Sequence, residues 1–151
     1  VCFSPEFLTE RNSVEDAQSE NKFIIGGIHK YNKYWSRLFT SHVILRNNGH
    51  IHECDIVEAA VLKLAENSML AIKVSFANEL YDLTEWLGVN FDNVIEGLKL
   101  DPRLGKSHWQ VPGYDGQRGW GGKCFPKDSQ ALATAGRKRG VPFHTLEAAI
   151  N

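Results

Sequence analysis

The chain has 151 residues, is 42% hydrophobic and 23% charged, and carries a formal net charge of −1. That length accommodates one domain with a real core, the composition excludes a disordered chain, and the near-neutral balance gives no electrostatic reason to bind nucleic acid or an anionic membrane. No apolar run approaches the roughly 20 residues of a membrane-spanning helix, and no signal peptide is visible. The three cysteines, Cys2, Cys54 and Cys124, are odd in number and far apart, so free thiols in a reducing, cytoplasmic compartment are expected.

From the N-terminus, residues 1–3 read as the end of a buried strand. Ser4-Pro5-Glu6-Phe7-Leu8 reads as a loop, because Pro5 biases Ser4 towards an extended backbone. Residues 9–22 are polar and read as an exposed loop. Phe23-Ile24-Ile25-Gly26-Gly27-Ile28 predicts a buried strand stopped by glycines. Tyr31, Tyr34, Trp35, Leu38 and Phe39 have the spacing of a short amphipathic helix over 31–40. Residues 42–46 read as a second short strand, and Asn47-Asn48-Gly49 as a turn.

Residues 53–87 are the longest periodic segment, free of Pro and Gly until Gly88, which suits a C-cap. Apolar side chains occur nearly all round this helix, among them Ile56, Val61, Leu70, Val74, Phe76 and Leu83. A helix apolar on every side is buried on every side, either within its own chain or against a partner subunit. Asp92 is the predicted N-cap of a further helix reaching Leu100, ended by Asp101-Pro102-Arg103-Leu104-Gly105. Residues 106–122 form a long loop, a length that marks functional or disordered segments. Pro126 suits the first position of a helix running to residue 139 and closed by Gly140, and residues 142–151 begin another. The result is a mostly α protein with a small α/β portion at its N-terminus.

Chemistry concentrates in Gly119-Trp120-Gly121-Gly122-Lys123-Cys124-Phe125-Pro126-Lys127-Asp128. Cys124 lies beside a helix start between two lysines. Dipole and ammonium groups both favour the thiolate, which is the nucleophilic form. Gly121 and Gly122 leave room for close approach. Asp128 suits the first helical turn. Lys63 and Asn67, four apart, share an apolar sector of the long helix. Either they serve an oxyanion and a substrate hydroxyl, or the lysine snorkels out past its neighbours. Glu6 and Glu10 lie in a loop after a strand, where a carboxylate can act as a base or bind hydroxyls. Arg103 is a candidate anion binder. His50-Ile51-His52-Glu53-Cys54 has metal-ligand residue types, but no second cluster completes a site, so no metal is assigned. No Gly-x-Gly-x-x-Gly follows a strand, so the chain carries no dinucleotide fingerprint of its own.

Taken together, these motifs resemble the UDP-glucose/GDP-mannose dehydrogenase family over almost the whole chain. The resemblance rests on Ser4-Pro5-Glu6-Phe7-Leu8, residues 58–67, Phe76-Ala77-Asn78-Glu79-Leu80, Asp101-Pro102-Arg103-Leu104-Gly105 and residues 121–128, in the family's order. It implies a three-part enzyme. A Rossmann domain binds NAD, a central helical domain forms the homodimer, and a C-terminal domain reads the nucleotide of the sugar. Residues 1–52 would be the end of the NAD-binding domain and its last strands. Residues 53–151 would be the central domain, dimerising through the helix at 53–87.

The implied reaction is a two-step, NAD-dependent oxidation of the sugar's C6 alcohol to a carboxylate through a cysteine thiohemiacetal and thioester. By position, Cys124 matches the nucleophile and Lys63 the lysine that stabilises the oxyanion. Asn67 and Asp128 match residues around the reacting hydroxyl or a water. Glu6 matches an acid/base in thioester hydrolysis, and Glu10 a residue near the nicotinamide of the cofactor. Phe7, Leu8, Gly121 and Gly122 fall in substrate-binding loops, and Arg103 matches an arginine reaching the neighbouring subunit's site. Two departures stand out: Arg11-Asn12 replaces a Gly and a small residue, and the longer loop 112–122 carries Trp120 where Phe is usual. The alternative is a non-enzymatic helical dimerisation module derived from such an enzyme. In either case the chain by itself is expected to turn over no sugar.

Overall fold

A computed structural model describes residues 1–9, 11–19, 21–42 and 49–151. The chain divides into two compact units, Val1–Lys63 and Leu64–Asn151.

The first unit holds a three-stranded sheet in the order β1 (Cys2–Phe3), β2 (Lys22–Gly27), β3 (His50–Cys54). β1 runs antiparallel to β2, with Cys2 opposite Gly27; β3 runs parallel to β2, with Lys22 opposite His50 and Gly26 opposite Cys54. The parallel pair requires a crossover, and α2 (His29–His42) lies on that connection. Ile24 and Ile25 are buried at the middle of β2. Gly26 is required at its place: an added Cβ would stand 2.4 Å from Ala59 Cβ and 2.9 Å from the Asp55 carbonyl oxygen. Asn32, buried on α2, ties the strands together. Its Nδ2 donates to the carbonyls of Gly27 (3.3 Å) and Cys54 (2.8 Å), and its Oδ1 accepts from the Cys2 thiol (3.8 Å).

Several sequence expectations change here. Of residues 1–3, Cys2 and Phe3 form a strand, but at the sheet edge and not buried, and Val1 before it is 95% exposed. The polar stretch after Leu8 is not all loop: α1 (Ser13–Ser19) forms with no buried residue, and Asp16 Oδ2 accepts from Thr9 N (2.8 Å) and Thr9 Oγ1 (2.5 Å). The amphipathic helix is longer than its apolar spacing, and His42 ends it instead of opening a strand. The rest of the expected strand and most of the Asn47-Asn48-Gly49 turn lie outside the described residues.

The long helix, α3, runs over Ile56–Leu87 and not from residue 53. Glu53 and Cys54 pair with Ile25 and Gly26 as the end of β3. Asp55 then caps the helix: its Oδ1 accepts from Val57 N (2.7 Å) and Glu58 N (2.9 Å), while Glu58 Oε2 accepts from Asp55 N (2.8 Å). This reciprocal box fixes the start. At the other end Gly88 adopts φ +67°, Val89 N donates to Thr84 O (3.0 Å) and Gly88 N to Glu85 O (3.1 Å), a left-handed stop only glycine takes without strain.

In the second unit, α4 (Phe91–Lys99) is capped by Asn90, whose side chain accepts from Asn93 N, and not by Asp92. A short 3₁₀ turn (Pro102–Leu104), α5 (Cys124–Lys138) and α6 (His144–Ile150) follow. One core cluster gathers Ala77, Phe91, Ile95 and Trp109; another gathers Leu132, Ala133 and Leu146, with Leu64 and Ile72 against it. α3 is not buried on every side within the chain. Val57, Met69, Phe76 and Trp86 are 65%, 65%, 53% and 82% exposed.

Candidate active site

Cys124 is the first residue of α5 and is exposed, whereas Cys2 and Cys54 are half-buried. Pro126 is therefore third in the helix, not first. There its missing N–H falls among the helix-start donors that have no intrahelical partner, so no helical hydrogen bond is lost. Burial, then the carboxylates of Glu58 and Asp55, push the Cys54 thiol up from its ordinary value. Lys123 precedes α5 and provides no side-chain cap.

One turn into α5, Asp128 is buried at 2% exposure. Asn67, itself 8% exposed on α3, donates from Nδ2 to Asp128 Oδ2 at 2.5 Å, and Lys127 Nζ donates to Oδ1 at 2.6 Å. The hydrogen bond and charge of Asp128 hold the Lys127 ammonium above the usual lysine range, with Cys124 the smallest contributor. Of the two lysines expected beside the thiol, Lys127 is thus engaged by Asp128. The Asn67 amide turns into the helix junction, which explains an amide in an apolar sector.

The loop before Cys124 is fastened to α3. Asn78 Oδ1 accepts from Gly119 N (3.0 Å) and Arg118 Nε (3.2 Å), and the Asn78 carbonyl accepts from Arg118 Nη2 (3.0 Å). Arg118 also pairs with Asp82 at 2.7 Å, and Trp120 Nε1 donates to Ser75 Oγ at 2.8 Å. Upstream, residues 113–117 close on themselves: Gly113 N donates to Gln117 O (2.8 Å), Gly116 N to Gly113 O (2.9 Å), and Gln117 N to Asp115 Oδ1 (2.9 Å). Gly119 and Gly122 take φ of +75° and +73°. Ser75, Asn78, Asp82 and Arg118 were given no site role from the sequence, although Asn78 lies in the stretch Phe76-Ala77-Asn78-Glu79-Leu80. Their signal was a polar stripe at i, i+3 and i+7 on a helix that is otherwise rich in apolar residues.

Lys73 was also missed. Its ammonium donates to Leu104 O (2.8 Å), lies 4.3 Å from the Trp109 ring centre, and is pushed below the usual lysine range by burial. Beside this cluster, His108 takes φ +64° and packs its ring 5.7 Å from that of Phe125. Arg103 is exposed, and its guanidinium is clamped by Asp101 through Nε (2.9 and 3.0 Å) and Nη2 (2.5 Å).

Glu6, Phe7, Leu8 and Lys63 belong to the first unit. Lys63 Nζ donates to the main-chain oxygen of Glu6 at 2.5 Å and lies 5.0 Å from the Phe7 ring centre, with Lys22 4.0 Å from the same ring. The Glu6 carboxylate accepts from Leu8 N at 2.6 Å, so it braces its own loop. Glu10 lies outside the described residues. Among the described residues of this unit, the strand-glycine-helix turn at Gly26-Gly27 does not fit a pyrophosphate. A Cβ on Gly27 would meet Asn32 Oδ1 at 2.9 Å and Val1 O at 3.0 Å, so protein atoms already fill the space a phosphate would need.

Chemically, the second unit offers an exposed thiol at a helix start, a buried carboxylate-amide pair one turn on, and a glycine-rich segment with open space around it. Residues 57–151 match the family model described as "UDP-glucose/GDP-mannose dehydrogenase family, central domain". UDP-glucose 6-dehydrogenase AglM of Haloferax volcanii is 33% identical over 100% of this chain and 34% of its own length. UDP-glucose 6-dehydrogenase TuaD of Bacillus subtilis is 32% identical over 99% of this chain and 31% of its own. A solved UDP-glucose dehydrogenase from Pyrobaculum islandicum superposes with a TM-score of 0.82 at 31% identity, covering 99% of this chain and 32% of that one. The chain therefore spans about a third of the length of the curated relatives it matches.

Proposed function

Because the chain belongs to the UDP-glucose/GDP-mannose dehydrogenase family, we propose that it is the cysteine-bearing part of a nucleotide-sugar 6-dehydrogenase acting in the cytoplasm. In this reading residues 1–52 close an NAD-binding domain and residues 53–151 form the central domain. The observation that carries it is the buried hydrogen bond from Asn67 to Asp128, which ties α3 to the helix that Cys124 begins, one turn beyond the thiol and not in the first turn where Asp128 was expected.

Cys124 Sγ adds to the C6 aldehyde carbon and gives a thiohemiacetal. After oxidation to the thioester, water releases the acid and returns the thiol. The Lys63 ammonium, now on the Glu6 carbonyl, is free to transfer to an oxyanion, because both are hydrogen-bond acceptors for the same donor. Asn67 and Asp128 orient the reacting hydroxyl or water, and Glu6 serves thioester hydrolysis as acid and base. Phe7, Leu8, Gly121 and Gly122 contact the sugar, and Arg103 exchanges Asp101 for an anionic group of the substrate. The two hydrides, one lost in forming the aldehyde and one in forming the thioester, would pass to NAD, and Glu10, which lies outside the described residues, is assigned to the nicotinamide by the resemblance alone. No described residue is assigned to its phosphates, since the Gly26-Gly27 turn does not fit them.

A second reading, a helical dimerisation module without catalysis, draws on the exposed apolar residues of α3, Met69, Phe76 and Trp86 among them. A homodimer through this helix is common to both readings. The test is made in the longest reading frame that carries this chain. Cys124→Ser is expected to abolish acid formation from UDP-glucose, and iodoacetamide is expected to label Cys124 faster than Cys2 and Cys54. Full acid formation by the serine variant, or equal labelling of the three thiols, would remove the nucleophile and leave the module.

A further inference from the structure

The glycine-rich segment ahead of Cys124 has almost no packing of its own. A Cβ added at Gly119 or Gly121 would meet nothing within 4 Å, and Gly119, Gly121 and Gly122 are all exposed. An open backbone with left-handed φ at Gly119 and Gly122 has many alternative paths. Its course must be set by its ends. The downstream end is α5 itself, held by Asn67 on Asp128. At the upstream end one side chain dominates. Asn78 Oδ1 receives both the Gly119 N–H and the Arg118 Nε–H, while its Nδ2 donates to Val74 O at 2.9 Å, so the amide is held in one orientation by its own helix.

The neighbours reinforce that contact. Ser75, Asn78 and Asp82 fall on one stripe of α3 and take Trp120, Gly119 with Arg118, and Arg118 respectively. Arg118 lies 5.3 Å from the Tyr81 ring centre, and Trp120 meets the ring of Phe125, the residue after Cys124, edge-on at 6.5 Å. The stripe thus reaches the reactive residue through two routes, backbone and ring.

We propose that Asn78 is a positioning residue: by accepting from Gly119 N and Arg118 Nε it sets the path of the segment that delivers Cys124 and covers the sugar. This rests on the reading of that segment as the catalytic loop. Asn78 touches no reacting atom and acts through Gly119.

The test uses two substitutions at the same place. Asn78→Leu keeps the size and removes the acceptor. Asn78→Asp keeps the acceptor oxygen. Loss of two hydrogen bonds of ordinary net strength should speed hydrogen exchange at the Gly119 amide by about tenfold or more in Asn78→Leu. Asn78→Asp should remain within about twofold of the parent, and kcat for sugar oxidation should fall with leucine and recover with aspartate. Arg118→Ala, at an exposed site, gives a variant that keeps the fold; it too should speed Gly119 exchange with an unchanged melting temperature. Unchanged Gly119 exchange in Asn78→Leu and Arg118→Ala, or equal acceleration by leucine and aspartate, overturns the proposal. Exchange is read without turnover, so the two readings fail separately. Full activity of Cys124→Ser removes the catalytic loop, whereas unchanged exchange removes only the role of Asn78.

Discussion

The contact between Asn67 and Asp128 can be broken from either side, and the size of the effect follows from its burial. Asn67→Leu preserves side-chain volume but removes the Nδ2 donor. Asp128, 2% exposed, then keeps its carboxylate out of water with one donor fewer, while Lys127 still serves the other oxygen from an exposed position. A hydrogen bond to a charged group is worth about 1.5–3 kcal/mol, so we expect a loss of about 2 kcal/mol. With a urea dependence of about 2 kcal/mol per molar for a chain of this size, the unfolding midpoint should fall by about 1 M. The assay is urea unfolding followed by circular dichroism at neutral pH. A midpoint within about 0.2 M of the parent would show that the buried pair does not hold α5 to α3, and the placement of Cys124 would need another cause.

Two further expectations follow from the second unit. A Cβ at Gly136 would stand 2.4 Å from Val141 O and 2.6 Å from the Phe143 ring, so Gly136→Ala should cost about 1–3 kcal/mol, read as a lower melting temperature; an unchanged melt would refute the close approach. His108 is held below its ordinary value of 6.5 by burial first and the Lys73 ammonium second. The unfolded chain therefore takes up this proton more readily, so the stability His108 contributes is complete above about pH 6.5 and is lost as pH falls through the folded value. His108→Asn removes the titration and tolerates the left-handed backbone, so it should flatten stability between pH 5 and 7; an unaltered pH profile would count against burial as the cause.

The sequence was most readable where the signal is local. Gly88 and Gly140 mark the ends of α3 and α5 because only a left-handed residue closes those helices. Cys124 was visible from its glycines and its nearness to a helix start. What stayed hidden depends on distant partners. Glu53 and Cys54 look like helix from their neighbours, and only pairing with Ile25 and Gly26 makes them strand. Pro126 favours the first helical position but is tolerated throughout the first turn, so the residue alone does not fix where the helix starts. Asn67 and Asp128 were each picked out, but their direct bond joins two helices whose approach no local pattern specifies. α1 escaped because it buries nothing and so shows no periodicity. The stripe of Ser75, Asn78 and Asp82 was legible in principle, since polar residues on a mainly apolar helix need partners, yet the partners lie in a loop with no pattern of its own.

The two fastenings on either side of Cys124 divide the chain by its tolerance for changes in length. Upstream of Arg118, residues 113–117 close on themselves, so a residue gained or lost there alters a turn that bears no load from α3. Between Gly119 and Asp128 both ends are anchored to the same helix, by Asn78 and Asn67. A single insertion there has to be taken up between those anchors, in the exposed glycine segment or in the start of α5, and either way it shifts Cys124 relative to Asn78 and Asn67. A change of length in the first interval leaves both anchors as they are, whereas one in the second displaces the thiol between them, so the distance from Gly119 to Asp128, more than that from the 3₁₀ turn to Cys124, is the spacing that sets the place of the thiol.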